Sequence, residues 1–390
     1  MNVALNKGGR IDVADVLRGF AVMGIILLHS IEHFNFGLYP NTETQGGLLN
    51  FLDSAIWDGM FFTFGGKAYA IFALLFGFSF FIMDNNQQLR GSDFRLRFCW
   101  RLVLLFIIGN FNAAFFTGEI LVLYSLVGFV LPLTCRLSDR NLLLLASFLM
   151  LQPLHMIYTF ISVCDPAFVT PVIPTREFWA ATRAMQSSGT FFEMVATNLK
   201  EGQLAGLSWY WDHGRMFQTA SLFMFGLLIG RKRLFLESNL SVWYRVVAIS
   251  LMLFFPLYGL KNMLPDFISN ASTLKPLSLI ITSWSNVAFM LLLVSGVIIA
   301  FYKVRSAESM LRCLIPYGKM SLTNYIMQSI VGSMLFYHWG LFLAKSVGIT
   351  GSYGIGILLF VAQLSFCHWW LKSHKYGPLE YLWRRATWLK

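Results

Sequence analysis

Val16-Leu17-Arg18-Gly19-Phe20-Ala21-Val22-Met23-Gly24-Ile25-Ile26-Leu27-Leu28-His29-Ser30-Ile31 carries one cation near its start, one imidazole near its end and nothing charged between them. Flanked by Asp15 and Glu32, a run this apolar reads as a membrane-spanning helix. No small-x-small cleavage site follows it, so it reads as a retained first span and not as a removed leader. From Arg18 to His29 is eleven residues, close to three helical turns and about 16 Å, which puts both side chains on one face at opposite ends of the span.

The remainder of the chain repeats this character. Of 390 residues, 56% are hydrophobic and 13% charged, against about 25% charged in soluble domains, and the mean hydropathy is +0.61. A water-soluble core cannot absorb that much apolar surface. Nine further apolar stretches follow the first: Met60 to Met83, Phe98 to Phe116, Ile120 to Thr134, Leu142 to Val163, Phe217 to Gly230, Val242 to Leu260, Leu277 to Phe301, Leu322 to Leu343 and Gly354 to Leu371. The expectation is an all-α polytopic transmembrane bundle of about ten spans, with residues 1–390 forming a single membrane domain. The fourth and sixth stretches are short for a hydrocarbon core of ~30 Å and must borrow flanking residues.

Alternating the connections inside and outside sorts the cations. Of the 30 Lys and Arg, 22 fall inside, seven outside, and Lys67 lies within a span. The bias predicts both termini in the cytoplasm and a multi-pass protein whose partner is the lipid bilayer. The formal charge of +11 is then topology, and nucleic acid is not an expected partner, since such binding gathers cations on one soluble face. Cys99, Cys135, Cys164, Cys313 and Cys367 are scattered without the spacing of a disulfide framework or cysteine zinc site. Two outer connections are long. The one from Glu32 to Gly59 carries Glu32, Glu43, Asp53 and Asp58 without Lys or Arg; the other, residues 164–216, ends in Trp209-Tyr210-Trp211-Asp212-His213-Gly214-Arg215. The aromatic content of the second predicts a segment packed over the outer mouth of the bundle.

Ionisable groups inside spans are costly and turn towards cavities, aqueous paths or partners. Arg18 and His29 therefore read either as the two ends of a channel or, more plainly, as a snorkelling cation and an interfacial histidine. Asp15, one turn before Arg18, is placed to hold its guanidinium. Lys67 should pair with a buried carboxylate or touch ligand. Glu119, in a tight outer turn, is either a solvated acid or a group that orients His29 or binds substrate. Asn324 and Gln328 share one face of the ninth span, where polar amides usually join helices. Arg215 is either a glycan contact or an interfacial anchor. His29-Ser30-Ile31-Glu32-His33 also matches the H-x-x-E-H zinc-peptidase pattern. No downstream signature supplies a third ligand, so no metal is expected, and Glu32 and His33 read as interfacial residues beside His29.

The segment Arg10 to Ile25, with its Asp15-Val16-Leu17-Arg18-Gly19, resembles the opening of the YeiB-like bacterial membrane proteins, a family without assigned function. So do Lys67-Ala68-Tyr69-Ala70-Ile71-Phe72-Ala73-Leu74-Leu75-Phe76-Gly77, Gly118-Glu119-Ile120-Leu121-Val122-Leu123-Tyr124 and Gly318-Lys319-Met320-Ser321-Leu322-Thr323-Asn324-Tyr325. The tail Tyr376-Gly377-Pro378-Leu379-Glu380-Tyr381-Leu382-Trp383-Arg384-Arg385 is the most distinctive match. That family is similar in turn to the transmembrane acyltransferases, whose O-acetyltransferase branch carries an Arg, ten residues and a His on the first span, as Arg18 and His29 stand here. Many YeiB-like sequences have Asn at the position of His29.

The resemblance implies acyl-coenzyme A, most simply acetyl-coenzyme A, as donor. It would enter from the cytoplasm with its phosphates near Arg18, supported by Asp15 and Lys319, and deliver its acyl end to His29, with Glu119 assisting. The acceptor would be a small molecule or glycan at the outer face. A neutral imidazole suits this work, since it can take the proton of an attacking hydroxyl or amine near neutral pH. The alternative of a different class is a transporter or flippase of an amphiphilic metabolite, its path lined by Lys67 and Ser283-Trp284-Ser285-Asn286; a membrane zinc peptidase ranks third. A homo-oligomer stays open.

Overall fold

The computed structural model describes residues 11–32, 34, 45–171 and 173–388. Among these residues the chain is helical and forms no strand. The first span is a continuous helix, α1 (Asp12–Glu32), opening on Asp12 and Asp15, whose charges suit a helix N-terminus. The second apolar stretch divides into α2 (Gly47–Thr63) and α3 (Ala68–Gln88) at a turn where Gly66 takes φ 72°. The first long connection thus differs from expectation: its second half is helix, because Leu48, Leu49, Phe51, Leu52 and Ile56 recur closely enough to make an apolar helix among the acids.

After α4 (Arg95–Ala113) the short fourth stretch forms two pieces, α5 (Leu121–Val127) and α6 (Val130–Thr134). The fifth stretch is α7 (Asp139–Met150) and α8 (Pro153–Cys164), bent by 48° between them. The cause is Pro153: it lacks an N–H and disfavours helical backbone in the residue before it, and Gln152 accordingly adopts φ 61°. The second long connection is built of α9 (Thr175–Ser188), α10 (Phe191–Thr197) and α11 (Gln203–Asp212). Then follow α12 (Arg215–Arg231), α13 (Leu240–Phe267), α14 (Ala271–Lys303), α15 (Arg305–Arg312), α16 (Leu314–Lys319), α17 (Ser321–Phe336), α18 (Ile349–Trp370) and α19 (Pro378–Thr387).

The ten apolar stretches therefore fall largely on helix, although the ninth leaves it after Phe336. Among the described residues six helical segments are long and apolar enough to cross a membrane, and the bent α7–α8 pair makes a seventh when taken as one span. At the centre, α1 is buried against α3, α16, α17 and α18. Helices α3 and α12 cross at close range: a Cβ on Gly77 would collide with the carbonyl of Phe223, and one on Gly226 with that of Leu74. Small residues at such crossings let backbones approach where no water drives association. Outer members of the bundle expose Met252, Leu253 and Phe255 on α13 and Leu358 and Val361 on α18, as lipid-facing helices do.

Contacts gather the connections at two ends. At the Arg18 end, Arg136 pairs with Asp84 and Asp93, Arg231 with Asp139, Lys303 with Glu237, and Arg312 with Asp12. The tail helix α19 belongs to this end. Its Glu380 accepts from the backbone N–H groups of Leu322 and Thr323 at 2.8 and 3.0 Å and from the Thr323 hydroxyl at 2.6 Å, capping α17, while Trp383 lies 3.4 Å from the Arg101 guanidinium on α4. At the His29 end, Asp53 accepts from Thr350 at 2.8 Å, His338 N–H donates to the Gln186 carbonyl at 2.9 Å, and Asn198 donates to the Ala114 carbonyl at 3.0 Å. Connections assigned to one side of the membrane by alternation thus meet one another.

Candidate functional site

A cavity of about 730 Å³ opens at the His29 end. One wall is the last two turns of α1, contributing Ile25, Leu28, His29 and Glu32; the broken α2–α3 corner adds Trp57, Phe61, Phe64 and Tyr69; α9 and α11 cover it with Trp179, Arg183, Trp209 and Tyr210. Arg215 begins α12 at its edge, and Asn286 approaches from α14. The α2–α3 turn can run beneath Asn286 and Arg215 because Gly66 has no side chain; a Cβ there would stand 2.7 Å from the Asn286 amide. The lining is mainly apolar and aromatic with a few convergent polar groups, the usual composition of a small-molecule site.

His29 sits in this wall with its ring 4.6 Å from that of Phe116 and its Nδ1 3.4 Å from Gln328 Nε2 on α17. As placed, the amide nitrogen donates to Nδ1. A half-turn of the amide would let Nδ1–H donate instead to Gln328 Oε1, which has no other partner among the described residues, and would leave Nε2 as the basic nitrogen. Arg215 Nη1 donates to the Tyr69 hydroxyl at 2.6 Å and to Gln218 Oε1 at 2.9 Å. Its guanidinium lies 4.5 Å from the Tyr69 ring centroid and 5.4 Å from that of Trp209.

The residues singled out in the sequence separate into groups. His29, Glu32 and Arg215 line the cavity, with Gln328 directly behind His29. Asn324, on the same helix face, has other work: its amide nitrogen donates to the Tyr317 carbonyl at 3.0 Å, and its own carbonyl accepts from Gln363 at 3.2 Å, tying α17 to α16 and α18. Glu119 is a buried cap, neither solvated nor bonded to His29: its carboxyl accepts from Asn112 and from the Leu121 N–H, and its carbonyl accepts the Tyr210 hydroxyl at 2.5 Å. Lys67 pairs with no carboxylate among the described residues; its Nζ donates to the Phe61 carbonyl at 3.3 Å and lies near the Phe62 and Phe289 rings.

Arg18 is at the opposite end, held by Asp15 at 2.5 Å and Ser79 at 2.8 Å. Lys319 shares that end, beside Gly318, whose backbone abuts Asp15 and Gly19. The cavity descends along α1 only to Ile25, and Ala21 and Val22 below it are fully buried. His33 lies outside the described residues. Among those described, no three His, Cys, Asp or Glu side chains gather as a metal site.

Residues 229–390 match the family described as "Protein of unknown function (DUF418)", which covers α13 to α19 and so includes Gln328 and Glu380 but not His29. Similarity extends further in individual relatives. The uncharacterized protein YxaH of Bacillus subtilis is 28% identical, the match covering 97% of this chain and 94% of the relative. The uncharacterized protein YeiB of Escherichia coli is 24% identical over 96% of this chain and 95% of its own. The similarity to YeiB thus extends over nearly the whole chain, beyond the residues the family model matches. An "Uncharacterized 39.9 kDa protein in amylase 3'region" of Bacillus acidopullulyticus is 25% identical, with 99% of this chain and 95% of the relative matched. No solved structure matches.

Sequence reading missed several cavity residues. Tyr69 stood inside a quoted motif as one more aromatic, and Trp57 and Arg183 stood in connections; only the fold brings them together with His29. The one usable signal was the cluster Trp209 to Arg215, which does border the cavity.

Proposed function

We propose that the chain is a multi-pass acyltransferase of the bacterial inner membrane, taking an acyl group, most simply acetyl, from cytoplasmic acyl-coenzyme A to an acceptor in the cavity. The observation that carries this reading is His29: an imidazole backed by a buried amide, in the wall of a roomy aromatic-lined cavity, on the same unbroken helix as Arg18. In this reading the cation-rich Arg18 end faces the cytoplasm. The ten apolar stretches serve as spans with both termini inside, the shorter helices crossing with help from flanking residues. Arg18, with Asp15 and Lys319, anchors the coenzyme phosphates. His29 Nε2 takes the proton of the attacking hydroxyl or amine, the acceptor oxygen or nitrogen bonds to the thioester carbonyl carbon, and the carbon–sulfur bond breaks to release the coenzyme thiolate. Aromatic faces in the lining suit a glycan ring. The packed residues between Ile25 and Arg18 must part to admit the acyl arm, which makes coenzyme binding a conformational step.

Full-length protein in lipid nanodiscs, supplied with radiolabelled acetyl-coenzyme A and an envelope extract as acceptor pool, tests the proposal. Label should pass to an acceptor. His29→Ala should lower the rate by ~100-fold or more, as loss of a general base does, and Gln328→Ala by a smaller factor, both with thermal midpoints near wild type. A wild-type protein that neither binds nor consumes acetyl-coenzyme A, or a His29→Ala protein of full activity, would overturn it.

One observation favours a second reading. A cavity open at one end and sealed by Ala21 and Val22 is the shape of a transporter or flippase for an amphiphilic metabolite halted in one state. Uptake into proteoliposomes lacking any acyl-coenzyme A would favour it.

A further inference from the structure

Charge in the cavity is lopsided. Arg183 and Arg215 both line it, and neither forms a salt bridge with a carboxylate among the described residues; Glu32 is the one described acid in the lining. Arg183 on α9 is exposed and makes no hydrogen bond, ion pair or ring contact among the described residues. Arg215 is bound through Nη1 to neutral partners only, and its Nε is buried without one. A partly buried guanidinium without a counter-charge, as Arg215 is among the described residues, is costly. The fold has nevertheless brought one from α9 and one from α12 to the same opening, with the Tyr69 hydroxyl already 2.6 Å from Arg215.

We propose that the cavity recognises a ligand with an anionic group, a phosphate ester or a carboxylate, seated between Arg183 and Arg215 beside Tyr69, with its apolar or ring portion lying against Trp57 and Phe64 towards His29. Guanidinium groups offer paired N–H donors that match such oxyanions. Aromatic and aliphatic lining on the α1 and α2 side removes the remainder of the ligand from water. This deepens the proposed function by naming the class of acceptor, and it rests on that reading only in taking the cavity as the acceptor site.

Binding to the full-length protein in neutral-lipid nanodiscs, with tritiated octyl phosphate as probe, tests the assignment apart from any catalysis. Octyl phosphate should saturate one site and be displaced by octanoate, while octanol and octylamine compete at least ~10-fold less well, because a charge-assisted hydrogen bond in a partly buried site is worth about that factor or more. Arg215→Gln and Arg183→Gln should each weaken octyl phosphate by ~10-fold or more and leave octanol unchanged. Among the described residues the Arg183 side chain makes no hydrogen bond, ion pair or ring contact whose loss could unfold the protein. Displacement by inorganic phosphate at concentrations similar to octyl phosphate would assign the site to a small soluble anion; failure of inorganic phosphate to compete would assign it to an amphiphile's headgroup. Either result supports an anion site. Equal binding of octanol and octyl phosphate, or unchanged octyl phosphate affinity in both arginine variants, overturns it. Arginine-dependent binding without acetyl transfer would leave the ligand class standing and remove the acyltransferase reading; acetyl transfer confined to uncharged acceptors would do the reverse.

Discussion

Glu119 illustrates how a polar residue with a plausible chemical role can be fully occupied by structure. It lies in the turn between α4 and α5, 4% exposed, and burial pushes its carboxyl up from the usual 4.5 to about 8. A neutral carboxyl also accounts for a neighbouring oddity. Asn112 Oδ1 is buried without a partner, and a half-turn of that amide would let it accept the carboxyl proton. A carboxyl whose folded pKa is raised favours folding fully below its unfolded pKa, and that contribution is lost as pH rises through the folded value. Thermal stability should therefore decline between about pH 4.5 and pH 8 in the wild type. Glu119→Gln, which keeps the shape and cannot ionise, should match the wild type near pH 5 and exceed it at pH 8. Melting curves across that interval check this, and parallel curves would show that Glu119 stays ionised in the fold.

Among elements, the α3–α12 crossing depends on bare backbone. Gly77→Leu should cost roughly 1–3 kcal/mol, the usual penalty of forcing side-chain volume into a packed contact, and lower the thermal midpoint. Gly259→Leu is the control: nothing lies within 4 Å of a Cβ at that position on α13, and its midpoint should stay close to wild type. Equal midpoints for the two variants would refute the crossing as a tight contact. Helix existence was legible in the sequence because each apolar stretch is free of long polar interruptions, though the breaks within the second, fourth and fifth were not read. The α7–α8 bend was present in it as Pro153, an unused signal. Helix α2 was obscured by its acids, and the cover made by α9 and α11 by its mixed composition. The partner of His29 could not be read, since Gln328 is 299 residues away and becomes a neighbour only when α17 packs on α1. Asn324 and Gln328 share a face as their spacing says, yet one joins helices while the other touches the candidate base; spacing fixes direction and says nothing of what lies opposite.

For the whole molecule, the separation of connections into two ends is the property that any function must use. Under the proposed orientation Cys164, exposed at the end of α8, faces outward, and Cys313, between α15 and α16, faces the cytoplasm. A membrane-impermeant maleimide applied to right-side-out cells should modify Cys164 and spare Cys313, with labelling lost in Cys164→Ser. Modification of Cys313 alone would invert the topology and with it the direction of acyl transfer. The cation bias of the sequence and the ion pairs at the Arg18 end agree on which connections belong together. What the sequence could not supply is the void between the two ends, because a cavity is defined by side chains failing to meet, and this one draws its walls from α1, α2, α3, α9, α11, α12 and α14.

The Glu380 cap adds a constraint in time. Helix α17, which carries Gln328, has its first backbone N–H groups satisfied by a carboxylate 58 residues further along the chain. Helix α17 is synthesised before Glu380, so its leading turn must first be satisfied by water or headgroups. The exchange of those provisional partners for Glu380, together with the docking of Trp383 on α4, can occur only once the tail has left the ribosome. The first turn of α17, two turns before Gln328, is thus completed only with the tail, and a chain stopped short of residue 380 would leave that turn without its cap.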